Sequence, residues 1–393
     1  MRAYVDHAAT TPMVDEAVDA VLAAMRSTGN PSSLHASGRR ARQLVEESRE
    51  RVAAALGARP SEVVFTGGGT ESDNLAVKGV FWARRAADPR RDRLVVSAVE
   101  HHAVLDTAEW LAQEEGGRVT LVPVDGAGRV TPAALRAALD ADGGPDTVAL
   151  VSVMWVNNEV GTVQPVRELA SIAHAHGIPL HTDAVQAVGQ LPVDFDDSGV
   201  DALTITGHKY GGPTGVGALL ARRDLGLVPL LHGGGQERDV RSGTLDAPAI
   251  AGLAAATVLA AREQPERAAR LAALRDELVT RVAVAAPGAV LGGDPMRRLP
   301  GNAHLRFPGC EGDALLMLLD ARGVECSTGS ACSAGVARPS HVLLAMGHSE
   351  EEARSSLRFS LGWSSTASDV DAVVAAIGPA VDRARAAHAA LQR

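Results

Sequence analysis

Leu203–Gly217 reads LTITGHKYGGPTGVG. An apolar, β-branched run, Leu203, Thr204, Ile205 and Thr206, stops at Gly207; His208 and Lys209 follow, then a Gly/Pro-rich turn. The pattern spells a buried strand that delivers a lysine to its end. A lysine after a strand is ordinarily a solvated surface group. Held at a buried strand end it loses its proton readily, and the neutral amine can form a Schiff base with a carbonyl. What the neighbouring strands carry decides between the two.

Working outward, strand and helix patterns alternate. Strands are expected at 62–65, 93–97, 118–122, 147–153, 179–182, 202–206 and 217–221, with helices at 71–85, 103–115, 132–139 and 165–176 between them and at 15–25 and 38–56 before them. This βαβα order predicts an α/β fold, a mostly parallel sheet with helices on both faces. No full helix fits between 206 and 217, so part of the sheet is expected to be antiparallel. Helices are expected at 246–262 and 267–284, the second linking two domains. Beyond them the pattern turns to an α+β mixture, with strands at 304–307 and 356–361 and helices at 312–321, 339–346 and 369–391. The expected division is a large domain over 16–263 and a small one over 264–393 that also takes in 1–15.

In an open parallel sheet ligands sit outside the C-terminal strand ends, and here each end carries polar groups. TGGGTES follows Phe65, AVEHHAV follows Ser97, MWVNNEVG follows Val153, and Asp183 and AVQ follow Thr182. Gly67, Gly68 and Gly69 with Thr70 open a helix, so free N–H groups and the helix dipole make a phosphate-sized anion site. The Gly-Lys-Ser/Thr tail of a P-loop is missing. Asp183 ends an apolar strand and needs a cationic or hydrogen-bonded partner; a pyridinium N–H is one, and Gln186 could reach a ring hydroxyl. His101 or His102 could stack on a flat ring or move protons. No Cys/His spacing has metal-ligand character.

Composition narrows the function classes. The hydrophobic share of 46% and the charged share of 22% are those of a globular chain, and a net charge of −9 without a basic tail argues against nucleic-acid binding. Three cysteines, Cys310, Cys326 and Cys332, cannot make a disulfide framework in 393 residues, so a reducing, cytoplasmic setting is expected. MRAYVDHAATTP has no apolar core of a signal peptide, and no run of about twenty apolar residues predicts a membrane span.

Taken together, YVDHAATTP, GNPSSLH, FTGGGTESDNLAVKG, EHHAVL, VNNEVGTVQP, HTDAVQAVGQ, GHKYGGPTGVG, HGGGQERDVRSGT, STGSACSAG, PSHVL and SLRFSLG resemble, in order, the blocks of the class V aminotransferase group of fold-type I pyridoxal-phosphate enzymes, and within it the NifS/IscS-like cysteine desulfurases. The resemblance implies that Lys209 holds the cofactor as a Schiff base, Asp183 pairs with the pyridine nitrogen, Gln186 bonds the ring hydroxyl and His101 stacks on the ring. It implies Gly69, Thr70, Thr206 and His208 as phosphate ligands, and Thr244 as a ligand to the phosphate of a neighbouring subunit, hence a homodimer. Asn158 and Arg358 are implied to bind the substrate amino acid, Arg358 as a bidentate clamp on its carboxylate. Cys332 lies in STGSACSAGVARPS, a run of small residues suited to a moving nucleophile, of the length seen in the NifS/IscS-like group. Cys326 is expected at the end of a strand with a structural role, and Cys310 falls in a turn.

The implied reaction converts L-cysteine to L-alanine and leaves sulfur on Cys332 as a persulfide, for an iron–sulfur scaffold or another acceptor protein. Two other readings are a different class V activity, such as selenocysteine lyase or an aminotransferase, and an idle assembly scaffold. Neither needs Cys332 as nucleophile.

Overall fold

The computed structural model describes residues 2–329 and 339–391. Its largest sheet has seven strands in the order Val63–Thr66, Gly217–Ala221, Ala202–Thr206, Leu180–Asp183, Val148–Ser152, Arg93–Ser97 and Arg118–Val122. The last five are mutually parallel. Gly217–Ala221 runs antiparallel to both of its neighbours, as the short 206–217 connection requires. Thr66, Ser97, Ser152, Asp183 and Thr206 therefore all end on one edge of the sheet. The central parallel strands are buried because helices cover both faces; VALVS at Val148–Ser152 is buried at every position, while the edge strand Arg118–Val122 is partly exposed.

A second, three-stranded antiparallel sheet joins Val290–Leu291, Asn302–Arg306 and Ser356–Ser360, and Ala3–Tyr4 pairs in parallel with Val324–Glu325. The two largest apolar cores are separate. One holds Val45, Phe65, Val151, Leu203, Leu253 and Leu259; the other holds Val5, Leu271, Leu278, Leu305, Phe359 and Ile377.

Where two helices were expected, at 246–262 and 267–284, one helix of 39 residues spans Ala247–Ala285 with Pro265 inside it. An interior proline costs a helix about 3 kcal/mol. Here both halves are buried, one in each core, so packing on either side offsets that cost. Arg267 closes the gap, pairing with Glu263 at 2.7 Å across the proline. The helix expected at 339–346 is shorter, His341–Ala345, because Ser340 caps it through Leu343 N. A helix at Glu350–Arg354 was not expected; Ser349 and Glu352 form its capping box.

Candidate active site

The sheet edge gathers the predicted residues. Lys209 follows Ala202–Thr206 in a short 3₁₀ turn, Gly207–Lys209. Its Nζ donates to the carbonyls of Ala8 at 2.8 Å and Ala9 at 2.9 Å. The Gln186 amide also donates to Ala8 O, at 2.9 Å, so one carbonyl serves both side chains. His208 Nδ1 lies 3.3 Å from Thr10 Oγ1, and Thr11 N donates to His208 O at 2.8 Å. Residues 6–11 thus run across the site as a strap. The sequence reading gave this segment no role; its signal was YVDHAATTP, a polar, small-residue stretch ahead of the first helix.

Asp183 stands at the next strand end, 6% exposed, with Oδ1 accepting Val185 N–H at 2.8 Å. Burial pushes its carboxyl up to about 6, against the pull of Lys209. Burial also raises Asp73 and Glu100, and each feels the charge of Asp183. A buried carboxylate of this kind is stabilised by a cation placed against it.

His101 caps the helix His102–Glu115, its Nδ1 accepting Ala103 N–H at 3.1 Å. An accepting Nδ1 fixes the tautomer with the proton on Nε2. Desolvation, then the charge of Lys209, holds this imidazole down to about 4, so it is a neutral ring at neutral pH.

The glycine turn forms a cup. Helix Gly69–Ala87 begins with Gly68 as its cap residue and no side chain covering its first N–H groups. Gly68 has φ +147°, a conformation that favours glycine. A Cβ on Gly217 would stand 2.6 Å from Ile205 O and 2.9 Å from the Gly68 backbone, so only glycine lets that strand approach the turn. Gly69, Thr70, Thr206, His208 and Thr214 line a cavity of about 370 Å³ here. Uncapped N–H groups, hydroxyls and a nearby imidazole are the donor set a phosphate takes. Together with Asp183 for a protonated ring nitrogen and an amine at Lys209, these residues fit pyridoxal phosphate. A larger cleft of about 810 Å³, lined by Arg42, Arg49 and Glu237 among others, contains none of these groups.

Arg358, on the Ser356–Ser360 strand, is 3% exposed. Nη1 donates to Asn158 O at 3.0 Å and Nη2 to Asp6 Oδ1 at 2.7 Å, while Nε has no hydrogen-bond partner among the described residues. The Asn158 side chain is half-buried beside it. Through residues 6 to 9 the guanidinium is tied to the carbonyls that hold Lys209.

One predicted residue lies apart. Thr244 is exposed and does not line its own chain's cup. The loop before it turns through three consecutive left-handed residues, Glu237, Arg238 and Asp239, each costing about 1–3 kcal/mol. Glu237 pays for that turn by binding Arg49 Nη2 at 2.6 Å and accepting Phe65 N–H at 2.7 Å. Cys332 lies outside the described residues. Among the described ones, Cys310 and Cys326 are buried; desolvation raises both, Cys326 to about 12, so neither is a thiolate near neutral pH.

Residues 3–373 match the class-V aminotransferase family. The chain belongs to that family. Within it the chain is 59% identical over 387 residues to an IscS-like cysteine desulfurase of Mycobacterium tuberculosis, covering 98% of each protein. It is 43% identical to the cysteine desulfurase IscS of Methanosarcina thermophila, covering 97% of this chain and 92% of that one. A solved NifS-like protein superposes with a TM-score of 0.89 at 35% identity, covering 98% of this chain and all of the other. Members of this class V group, the IscS- and NifS-like desulfurases, depend on pyridoxal phosphate, the group that the cup, Asp183 and Lys209 fit. Among the described residues no helix is long and apolar enough to cross a membrane, and no cluster of three or more His, Cys, Asp or Glu could hold a metal ion.

Proposed function

We propose that this protein is a pyridoxal-phosphate-dependent cysteine desulfurase that moves the sulfur of L-cysteine onto Cys332 and leaves L-alanine. The observation that carries the reading is the convergence of Lys209, Asp183 and the uncapped glycine turn on one sheet edge, tied through residues 6–9 to the Arg358 guanidinium.

When bound there, pyridoxal phosphate supplies an electrophilic carbon for amines and an electron sink for charge that develops at the substrate's Cα. Gly69, Thr70, Thr206 and His208 would hold its phosphate, Asp183 the proton on its ring nitrogen, Gln186 its ring hydroxyl and Lys209 its carbonyl carbon. His101 presents a neutral imidazole to its face. Arg358 takes the substrate carboxylate with the donors it has, beside Asn158. The free Lys209 amine would be the base that moves the substrate's Cα proton. The Cys332 thiolate then attacks the substrate sulfur: an S–S bond forms, the Cβ–S bond breaks, and the carbon fragment leaves as alanine after protonation. Cysteine plus enzyme thiol gives alanine plus enzyme persulfide, so atoms and electrons balance.

The persulfide serves a sulfur-acceptor protein, such as an iron–sulfur scaffold, in a reducing, cytoplasmic setting. The working form is a homodimer in which Thr244 reaches the neighbouring subunit's phosphate; its exposure, and its absence from the lining of its own chain's cup, support this. A large domain over 16–263 and a small one over 264–393 with 1–15 place Lys209 on the first and Arg358 on the second.

Purified protein loaded with pyridoxal phosphate should release alanine and, with dithiothreitol, sulfide in equal amounts from L-cysteine. Alanine without sulfur transfer to Cys332 would point to a lyase instead. Mixing Lys209→Ala with a Thr244→Ala variant should restore activity in hybrid dimers, since one of the two sites is then intact.

A further inference from the structure

The residues on either side of the Cys332 segment are anchored, one flank at the Glu159 carboxylate and the other at Arg358. On the C-terminal side, Ser340, 3% exposed, donates its hydroxyl to Glu159 Oε2 at 2.5 Å while accepting Leu343 N–H to start its helix. The next residue, His341, places Nε2 2.9 Å from Glu100 O, beside His101. On the N-terminal side, Ser327 exchanges both backbone hydrogen bonds with Arg358, at 3.2 and 2.6 Å, and its hydroxyl accepts Gly329 N–H at 3.1 Å. Gly329 is left-handed, φ +86°, and a Cβ built on it would lie 3.4 Å from Glu159 Oε2. Glu159 itself is 5% exposed, and its backbone N–H is fixed by Asn157 Oδ1 at 2.9 Å. Asn158, whose carbonyl accepts from Arg358, is its immediate neighbour.

We propose that Glu159 is a positioning residue for the sulfur-transfer step: it clasps Ser340 on the C-terminal flank of the Cys332 segment and borders Gly329 on the other, where Ser327 is paired with Arg358. This rests on Cys332 as the sulfur acceptor. A buried carboxylate is a demanding group to keep at such a place, since an unmet acceptor there costs stability. A serine hydroxyl satisfies one oxygen and does so one residue after Pro339, where the described chain resumes. The other flank is hydrogen-bonded to the strand residue that receives the substrate carboxylate. Glu159 therefore holds Ser340 in place beside Asn158 and Arg358 without itself being placed on substrate or cofactor.

The test uses Glu159→Ala, Glu159→Gln and Cys332→Ser in the loaded enzyme, with three readouts: alanine formation, the visible band of the bound cofactor before and after cysteine, and the alkylation rate of Cys332 by iodoacetamide followed by peptide mass. For Glu159→Ala the expected result is a kcat about tenfold or more lower with KM within about threefold, as for an interaction needed after substrate binding. The cofactor band and its response to cysteine should be unchanged, and Cys332 alkylation should shift by about threefold or more. Glu159→Gln, whose amide oxygen still accepts the Ser340 hydroxyl, should recover most of the kcat. The proposal is overturned if Glu159→Ala keeps wild-type kcat, if its loss of kcat comes with loss of bound cofactor, if alkylation is unchanged, or if Glu159→Gln is as impaired as Glu159→Ala. Alanine formation at the normal rate by Cys332→Ser would instead refute Cys332 as acceptor, a result separate from failure of the clasp alone.

Discussion

Arg358 and Asp6 form an ion pair at 2.7 Å, the arginine side chain 4% and the aspartate 21% exposed. The pair joins a strand near the end of the chain to the strap that crosses the lysine. It also occupies one arm of the guanidinium fork, leaving Nε unpaired among the described residues. Arg358→Lys keeps the charge and loses the fork. Its KM for cysteine should rise by about 10–100-fold with a smaller change in kcat, which steady-state kinetics will show. An unchanged KM would remove Arg358 from substrate binding.

Lys209 should be the one site of covalent cofactor attachment. Borohydride reduction of the loaded protein, followed by peptide mass analysis, should place the pyridoxyl mass on Lys209, and Lys209→Ala should bind cofactor only reversibly and form no alanine. A pyridoxyl mass on another residue refutes the assignment.

Asp183 gives a pH prediction with a definite sign. Its folded-state value, about 6, is raised above the usual carboxylate value by burial. Its burial is therefore without cost below the unfolded value and costs stability as pH rises through about 6. Asp183→Asn removes that cost. The cofactor-free variant should gain on cofactor-free wild type between pH 4 and 7 and keep the gain above, while binding pyridoxal phosphate more weakly. Chemical denaturation of both proteins across that range will show it; a gain that does not change with pH would mean the carboxyl is not titrating there.

The three cysteines should separate cleanly. Cys332→Ser should keep the visible cofactor band and its response to cysteine but yield no sulfide. Cys326→Ser and Cys310→Ser should retain most activity, because burial holds both as thiols. Their cost should be in stability, about 1–2 kcal/mol on thermal melting for a polar oxygen placed in an apolar site. A Cys326→Ser enzyme that binds cysteine yet makes no alanine would mean that the sulfur is carried elsewhere.

What was legible in the sequence was local. Asp183, Lys209 and Gly69 could be placed because each closes or follows a strongly patterned strand, and strand ends in a parallel sheet share an edge. The antiparallel strand was readable from a connection too short for a helix. The partners that hold Lys209 were not, since backbone carbonyls of Ala8 and Ala9 carry no side-chain signal and lie some two hundred residues away. Pro265 misled for a physical reason: propensity argues for a break, but two cores grip one helix on either side of it. Two-residue strands such as Ala3–Tyr4 and Val290–Leu291 are too short to show any period.

The strap has a consequence for the order in which the protein matures. Ala8 N donates to Ser360 Oγ at 2.9 Å across 352 positions of chain, and His7 N donates to Ser360 O. A ribosome makes residues 6–11 some 350 positions before the strand that supports them. While the chain is still growing, the lysine and its sheet edge can be formed, but the strap over them has no strand to rest on. A cofactor arriving early therefore meets an open, loosely held amine, and firm capture waits until the Ser356–Ser360 strand has left the exit tunnel. Loading with cofactor becomes a checkpoint that waits for the Ser356–Ser360 strand, and a nascent chain stalled before residue 360 should hold the cofactor poorly.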